Sequence, residues 1–270
     1  MKNTYPLCFW KLRGVEPEVH VLGSVHNVAA DTYPLPDHIE ATIDRAETIM
    51  FEGGKCPRSD SVIERNTNCE PIELRLTHRP DLIARLKAAA LRHRIDLSAI
   101  ERKALWLAGL AISGASLENS GKPMSAGVDS YVMRRTSDEA DFEFLESGDQ
   151  MVAGLTEMSV QAQLHFFEKR LEEAEGELFP GACELERAWR HGNVEHFARQ
   201  NAEEARMHPE QHRILLTDRN AIWFTNIRRV LARKRRTLIV GGTYHFVGVG
   251  SVLQLLKREQ GIRADQIRIK

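Results

Sequence analysis

Two short apolar runs near the amino terminus predict the first structural unit of the chain. The residues from Cys8 to Leu12 and from Val19 to Val25 are rich in apolar side chains, and Gly14 lies between the two runs. Runs of this length on either side of a turn residue are typical of paired β-strands. We therefore expect a β-hairpin at the start of the fold.

A helix and a third strand follow the predicted hairpin. Pro34-Leu35-Pro36 forms a turn, after which Asp37 is placed to cap a helix that continues to about Glu47. Thr48-Ile49-Met50-Phe51 is typical of a buried strand and ends at Glu52. A strand, a helix and a second strand in this order predict a parallel crossover, which is the basic unit of an α/β sheet.

The middle of the chain is dominated by helical periodicity. Apolar residues recur at helical spacing over two blocks, about 60–137 and about 149–235. Phe142-Glu143-Phe144-Leu145 lies between the blocks and alternates like a strand. The second block is interrupted near Phe179-Pro180-Gly181 and again at His208-Pro209. We therefore expect two large helical insertions.

The carboxyl-terminal part returns to the strand pattern. Thr237-Leu238-Ile239-Val240 is a short apolar strand that runs into Gly241-Gly242. A helix from about Gly250 to Arg258 and a short strand over Gln266–Ile269 close the chain. The whole pattern predicts an α/β (α+β) fold over 1–270 as a single domain. Its mixed central sheet is built from two strand–turn–helix halves that carry the helical insertions.

Composition narrows the classes of function. The hydrophobic share of 42% and the charged share of 28% are typical of globular proteins in water. The net charge is -1, from 37 basic and 38 acidic residues, so no basic surface for nucleic acid is predicted. No apolar run approaches the ~20 residues of a membrane span, and the first residues do not form an apolar leader segment.

The four cysteines indicate a reducing compartment. Cys8, Cys56, Cys69 and Cys183 show no paired spacing, which predicts free thiols rather than disulfides or a thiolate metal site. Together with the lack of a leader segment, this pattern predicts a cytoplasmic protein. The sequence is compatible with an oligomer and does not define one.

Four of the predicted strands end in a residue that can carry chemistry. These residues are His26, Glu52, Glu146 and His245. Ligands of open α/β sheets bind at the carboxyl ends of the strands, so we expect the four side chains to converge there. Two neutral imidazoles and two carboxylates suit a divalent ion such as zinc, manganese or cobalt. Such an ion activates water and polarises a carbonyl, which is the chemistry of hydrolysis.

Each of the two histidines follows a glycine by three residues. The turns are Gly23-Ser24-Val25-His26 and Gly242-Thr243-Tyr244-His245. A residue without a Cβ permits a sharp exit from a strand and a close approach of the backbone. A single histidine after a strand is more often a hydrogen-bonded structural residue, so the residues alone leave both interpretations open. The pairing of two such turns with two glutamates favours the metal site.

Several segments resemble the TraB/GumN family, whose relatives include the Tiki metalloproteases and, more remotely, the erythromycin esterase and ChaN-like proteins. The resemblance extends over nearly the whole chain. It rests on Val21–His26, Tyr33–Pro36, Met50–Glu52, Gly127–Tyr131, Leu145-Glu146 with Gln150, Asp218–Asn220 with Trp223, and Val240–Gly248. Two residues depart from the family pattern: Tyr244 stands where a small residue is usual, and Phe246 replaces a leucine.

The resemblance implies a divalent-metal-dependent, peptidase-like hydrolase that uses manganese, cobalt or zinc and acts on a peptide or small molecule. It implies a metal-ligand set of His26, Glu52, Glu146 and His245. The implied catalytic residues are Glu52, Glu146 and Arg219, where Glu146 is a fourth ligand or a base and Arg219 is an electrophilic or substrate-orienting group. The predicted substrate-binding residues include Asn220 and Asp129, with Asp129 also able to support the site from behind or cap its helix. Tyr244, which departs from the family pattern, is predicted to donate a hydrogen bond to substrate or to narrow the pocket.

Two other functions are compatible with the same fold. One is a non-catalytic protein that binds a peptide or a signalling molecule, with both histidines in structural roles. The other is an esterase that acts on a small ester or lactone through the same residues. A protein that neither binds metal nor turns over substrate would favour the first alternative over a hydrolase. The size of the substrate pocket distinguishes the second alternative from a peptidase.

Overall fold

The computed structural model describes residues 5–26, 28–53, 64, 66–119, 126–137, 139–176 and 180–268. Its strands are β1 (Phe9–Arg13), β2 (Val19–Ser24), β3 (Thr48–Gly53), β4 (Asp141–Glu146), β5 (Thr237–Gly242) and β6 (Arg263–Gln266). Its α-helices are α1 (Asp37–Arg45), α2 (Ile72–Arg75), α3 (Pro80–His93), α4 (Leu105–Asn119), α5 (Val128–Arg135), α6 (Gly148–Glu157), α7 (Val160–Glu175), α8 (Pro180–Arg190), α9 (Val194–Met207), α10 (Pro209–His212), α11 (Asp218–Leu231) and α12 (Val252–Gln260).

The strands form one mixed sheet in the order β4-β3-β5-β2-β1-β6. The four strands β4, β3, β5 and β2 are parallel to one another, and β1 is antiparallel to both of its neighbours. The predicted α/β fold class is therefore confirmed. Because β5 is inserted between β3 and β2, the carboxyl-terminal half of the chain supplies the centre of the parallel part.

The amino-terminal elements follow the predicted order. β1 and β2 pair as an antiparallel hairpin, with Phe9 opposite Leu22. The prediction that Asp37 caps α1 was wrong: Pro36 is the capping residue, without a side-chain bond, and Asp37 begins the helix itself. An acidic residue in the first turn still interacts favourably with the helix dipole. The helix ends at Arg45, two residues early, because the Glu47 N–H bonds to the carbonyl of Arg236 next to the sheet.

The two predicted helical insertions share their apolar cores. Leu105, Ala108 and Ile112 of α4 pack in one buried cluster with Phe167 and Leu171 of α7. The break predicted near Phe179 lies partly outside the described residues, and α8 begins at Pro180. In the described parts of the chain, no helix combines the length and hydropathy that crossing a membrane requires.

The predicted free thiols are seen at two positions. Cys8 and Cys69 are free, whereas Cys56 and the Cys183 side chain lie outside the described residues. Burial raises the pKa of the Cys8 thiol to about 12, although a hydrogen bond with Thr243 acts in the opposite direction. Cys8 is therefore an inert core residue.

The last strand is shifted from its predicted position. It spans Arg263–Gln266 instead of Gln266–Ile269, and it pairs with β1 through Trp10 opposite Gln266. Ile267 only adds one backbone bond to the Phe9 carbonyl, and Ile269 lies outside the described residues. The alternation of Ile267 and Ile269 predicted the wrong segment. In an edge strand such as β6, the free backbone groups of the neighbouring strand β1 decide which residues pair.

Candidate active site

The four parallel strands end at the same edge of the sheet, as the sequence predicted. Ser24 at the end of β2 is opposite Gly242 at the end of β5, and Gly53 at the end of β3 is opposite Glu146 at the end of β4. Since the candidate residues lie on or just after these ends, the fold gathers them into one crevice.

The two turns that carry the histidines are in direct contact. The Thr243 hydroxyl donates to the Ser24 carbonyl at 2.9 Å, and both residues are buried. A Cβ added at Gly23 would lie 2.7 Å from the Thr243 Oγ1 atom, a distance that excludes any side chain. The first glycine of the motif is therefore required for the close approach of the second turn.

Arg219 joins the two glutamates at the centre of the crevice. Its Nε atom donates to both Glu146 oxygens, at 2.8 and 3.1 Å, and its Nη2 atom contacts Glu146 as well. The same Nη2 atom donates to Glu52 Oε1 at 2.7 Å. The Glu146 side chain is fully buried, and both of its oxygens are bonded to Arg219. The structure therefore places Glu146 as the partner of Arg219.

A π-helical segment positions Arg219. The residues Arg213–Thr217 form a π-helix that runs directly into α11, whose second residue is Arg219. The guanidinium donates through Nη1 to the carbonyl of Leu215 inside this segment, at 3.1 Å. Short π-helical turns are frequent at functional sites because they shift the phase of the helix that follows. The break predicted at Pro209 is confirmed as the start of the short helix α10, which leads into the π-helical segment.

Glu52 is held as an anion by three neighbours. Its Oε2 atom accepts the Gly242 N–H at 2.8 Å, and its Oε1 atom accepts from Arg219. Burial alone would raise the pKa of this carboxyl, but the His245 and Arg219 side chains outweigh burial and lower the pKa to about 2. The Gly242 N–H was absent from the predicted site because a backbone donor has no signature in the sequence.

His245 is buried and oriented by Asn220. Its Nδ1 atom lies 2.6 Å from Asn220 Oδ1, while the Asn220 amide nitrogen donates to the Gly250 carbonyl at 2.9 Å. The amide oxygen therefore faces the ring and assigns the ring proton to Nδ1. The Nε2 atom then carries a lone pair, and it lies 3.9 Å from Glu52 Oε1. Asn220 was expected to contact substrate, but its side chain is used to orient His245.

Trp223 completes the packing of His245. The two rings stack with their centroids 4.0 Å apart, and Arg219 lies over the same indole at 5.6 Å. A Cβ at Gly241 would lie 2.8 Å from the indole, so this strand also needs a glycine. Trp223 follows Arg219 by four residues on α11, a spacing that places both side chains on one helix face and could have identified the tryptophan.

His26 lies on the exposed side of the crevice, next to the largely buried Asp129. The His26 side chain is 51% exposed, and its Nδ1 atom lies 3.7 Å from Asp129 Oδ2. Among the described residues, neither Asp129 oxygen has a partner within hydrogen-bond geometry. Burial raises the pKa of the Asp129 carboxyl, and the Glu52 charge adds to the rise while the His26 ring opposes it.

Tyr244 points away from these residues. Its hydroxyl donates to Gln200 of α9, and its ring packs edge-on against Phe197 at 5.2 Å. Burial raises its pKa above the ordinary value. The phenol therefore supports the turn from the α9 side, and its hydroxyl does not face the crevice in which it was predicted to contact substrate.

The buried imidazole of His245 gives a first prediction, for the metal-free protein. Burial and then Arg219 lower its pKa to about 3, against an unfolded value of about 6.5. The unfolded state therefore binds the extra proton first, and stability falls as the pH drops below about 6.5. Proton uptake by His245 in the unfolded state should by itself make the free energy of unfolding about 2 kcal/mol lower at pH 5 than at pH 7.

Denaturant unfolding in a chelator at pH 7, 6 and 5 measures this effect. His245→Gln should be less stable at pH 7 but should lose about 2 kcal/mol less than the wild type on acidification. His191→Gln, which changes an exposed histidine, is the control and should keep the wild-type slope. Equal pH slopes for wild type and His245→Gln would show that His245 is not buried as a neutral ring.

Comparison with known proteins adds one finding. A family model described as the TraB/PrgY/gumN family matches residues 8–266 of the 270. The matched range includes every candidate residue from His26 to His245. No curated protein and no solved structure matches the chain.

Proposed function

The chain belongs to the TraB/PrgY/gumN family, and we propose that it is a divalent-metal-dependent hydrolase acting on peptide bonds. The observation that carries the proposal is the pair formed by His245 Nε2 and Glu52 Oε1, which face each other 3.9 Å apart. Each atom can donate an electron pair, so a cation placed between them would be held by both, beside the bond that Glu52 Oε1 accepts from Arg219. Because metal–nitrogen and metal–oxygen bonds are about 2 Å long, a cation could bind both atoms after a small approach of the two side chains.

The residues around this pair favour a cation such as manganese, cobalt or zinc, and His26, whose ring does not lie within 4.8 Å of both atoms, must move towards them to complete the site. A metal-ligating histidine usually donates its other ring N–H to a fixed acceptor, and Asn220 supplies that acceptor for His245. His26 offers an exposed imidazole on the open side of the crevice. We therefore propose His26, Glu52 and His245 as the ligands. Glu146 is left out of this set because its side chain is fully buried and its oxygens accept three bonds from Arg219, whereas each Glu52 oxygen accepts only one bond.

The two remaining carboxylates differ in their suitability as a base. A divalent ion supplies Lewis acidity when bound: it polarises a carbonyl and makes water easier to deprotonate. Glu52, with a pKa of about 2, is too weak a base to take that proton and is suited to ligation. Asp129 has a raised pKa, its Oδ2 atom lies 3.7 Å from the His26 ring, and among the described residues neither of its oxygens meets hydrogen-bond geometry, so we propose it as the general base.

Arg219 and Asn220 hold the proposed ligands in place. Arg219 fixes one oxygen of Glu52, while Asn220 fixes the ring of His245. Because the two residues are adjacent at the start of α11, a single helix end sets the distance between both ligands. Such preorganisation removes the need for the ligands to reorient during the reaction.

The substrate class and location rest on the family resemblance and on the sequence. We propose a peptide substrate and a cytoplasmic location, with no nucleic acid among the partners. An esterase that acts on a small ester or lactone would use the same residues. Activity on a panel of both substrate types decides between the two classes.

The decisive experiment compares the wild type with His26→Ala. Protein stripped of metal by a chelator should not hydrolyse a peptide library, and added manganese, cobalt or zinc should restore activity. His26→Ala should weaken metal binding about 100-fold, since one of three protein ligands is lost. The substitution is at an exposed side chain, so we expect the melting temperature of the metal-free protein to be unchanged.

His191→Ala is the matched control, because it also removes a surface imidazole. Full metal affinity and full activity in His26→Ala would overturn the ligand assignment. Metal binding without turnover of any peptide or ester would instead support the non-catalytic binding protein.

A further inference from the structure

A second group of ligand-type side chains lies between two helices, outside the strand ends. His165 of α7, Glu204 of α9 and His208, which ends α9, each offer a ligand atom, and these atoms lie within 4.8 Å of one another. We propose that these three residues form a second metal site, for a borderline divalent ion such as Zn²⁺, which joins α7 to α9. Two imidazoles and a carboxylate are a common ligand set for this ion.

Local structure fixes the three residues relative to one another. Glu204 and His208 are four residues apart, so they follow one face of the last turn of α9. The His208 N–H bonds to the Glu204 carbonyl at 2.8 Å, and Pro209 begins α10 immediately afterwards. His165 faces them from α7, with its ring stacked on that of His208 at a centroid distance of 3.4 Å.

The polar atoms of this group are not satisfied by one another. The Nε2 atom of His165 is buried and has no hydrogen-bond partner among the described residues. Burial lowers the pKa of His165, and the neighbouring His208 and Lys169 lower it further. The Nε2 nitrogen of His165 is therefore open to a ligand, and an imidazole nitrogen is a common ligand atom for a divalent ion.

Lys169 competes with a metal for Glu204. Its ammonium contacts Glu204 Oε1, and it lies one turn after His165 on α7. An ion that binds here must take the carboxylate from the ammonium. Removing the ammonium should therefore increase metal affinity, an effect that a purely structural role of the histidines does not predict.

The proposed second site connects to the support of the first crevice. One turn before Glu204, the Asn201 amide donates to the carbonyls of Tyr244 and Val247, at 2.8 and 3.1 Å. The neighbouring Gln200 accepts the Tyr244 hydroxyl. A metal between α7 and α9 would therefore stiffen the helix on which the turn carrying His245 rests.

Zn²⁺ titration of chelator-stripped protein against a coloured metal indicator tests this proposal. His208→Gln should lose one equivalent of Zn²⁺, with binding at this site weakened about 100-fold, and should lose part of the rise in melting temperature that Zn²⁺ causes. Lys169→Gln should bind Zn²⁺ about threefold more tightly than the wild type. Glu204→Gln, a nearly isosteric change, should reproduce the loss if His208→Gln fails to fold.

The controls separate this site from the crevice. His191→Gln should bind as the wild type does, and His26→Ala should lose only the crevice equivalent. If the crevice binds no metal, the wild type should still take up one equivalent that His208→Gln lacks. Unchanged stoichiometry and affinity in both His208→Gln and Glu204→Gln, or no gain of affinity in Lys169→Gln, would overturn the second site.

Discussion

Arg219→Met is expected to lower the free energy of unfolding by about 3–5 kcal/mol, because it leaves two buried carboxylates without their cation. The Glu146 side chain is fully buried and that of Glu52 is only 20% exposed. Methionine retains apolar contact with Trp223, so the lost charge, and not a lost volume, dominates the change. Burial lowers the pKa of Arg219, but its bonds to Glu146 and Glu52 outweigh burial, and the net pKa is raised.

Urea unfolding of three variants at neutral pH measures this effect. The matched control is Arg229→Met, which breaks an exposed pair with Glu143 and should cost about 1 kcal/mol or less. Adding Glu146→Gln to Arg219→Met should recover part of the loss, since one uncompensated charge disappears. If Arg219→Met destabilises no more than Arg229→Met, the buried ion pairs do not hold the crevice together.

Glu52→Gln is expected to reduce hydrolysis by about 1,000-fold and to weaken metal binding in parallel. Glutamine has one oxygen, whereas Glu52 accepts from Arg219 with one atom and from the Gly242 N–H with the other. The amide nitrogen must therefore face a donor, and the negative charge that binds a cation is lost. Glu146 still neutralises Arg219, so the fold should persist.

Glu143→Gln serves as the comparison for Glu52→Gln. Glu143 also pairs with two arginines, Arg229 and Arg233, and lies within β4, not at its end. We expect this variant to retain activity and metal content. Wild-type kcat/KM and metal affinity in a folded Glu52→Gln protein would contradict the role proposed for Glu52.

The beginning of α11 links these two predictions. Arg219 fixes Glu52, and the next residue, Asn220, fixes His245 through its amide oxygen. A shift of this helix end changes both candidate ligands together. Substitutions in the π-helical segment Arg213–Thr217 are therefore a route to altered metal affinity without any change at a ligand.

Much of the fold could be predicted from the sequence because its elements are encoded locally. The strands β2, β3 and β5 coincide with apolar runs, whose burial leaves little choice of conformation, and the edge strand β4 follows an alternating pattern. The predictions of β6 and of the start of α1 were wrong because contacts with neighbouring residues, and not local sequence preference, decide the structure there. β6 was shifted because β1 selects the residues that pair with its edge, and α1 began at Asp37 because Pro36 already occupies the cap position.

Within the candidate site, the positions of the residues could be predicted but their partners could not. The crevice contains Glu52, Glu146, Arg219, Asn220 and His245, and His26 and Asp129 lie beside them. Nothing local indicated that Glu146 pairs with Arg219, that Asn220 orients a histidine, or that Tyr244 turns towards α9. Each of these contacts depends on how a helix packs against the strand ends.

The sequence by itself determined where strands end, which residues follow those ends, and that two glycine turns approach each other. These properties depend on short-range hydrophobic pattern and on the absence of a Cβ. Only the tertiary structure decided which groups pair with the two carboxylates. Arg219 reaches Glu146 across 73 positions and Glu52 across 167, and a guanidinium satisfies the acceptors that packing brings to it, whatever their separation along the chain.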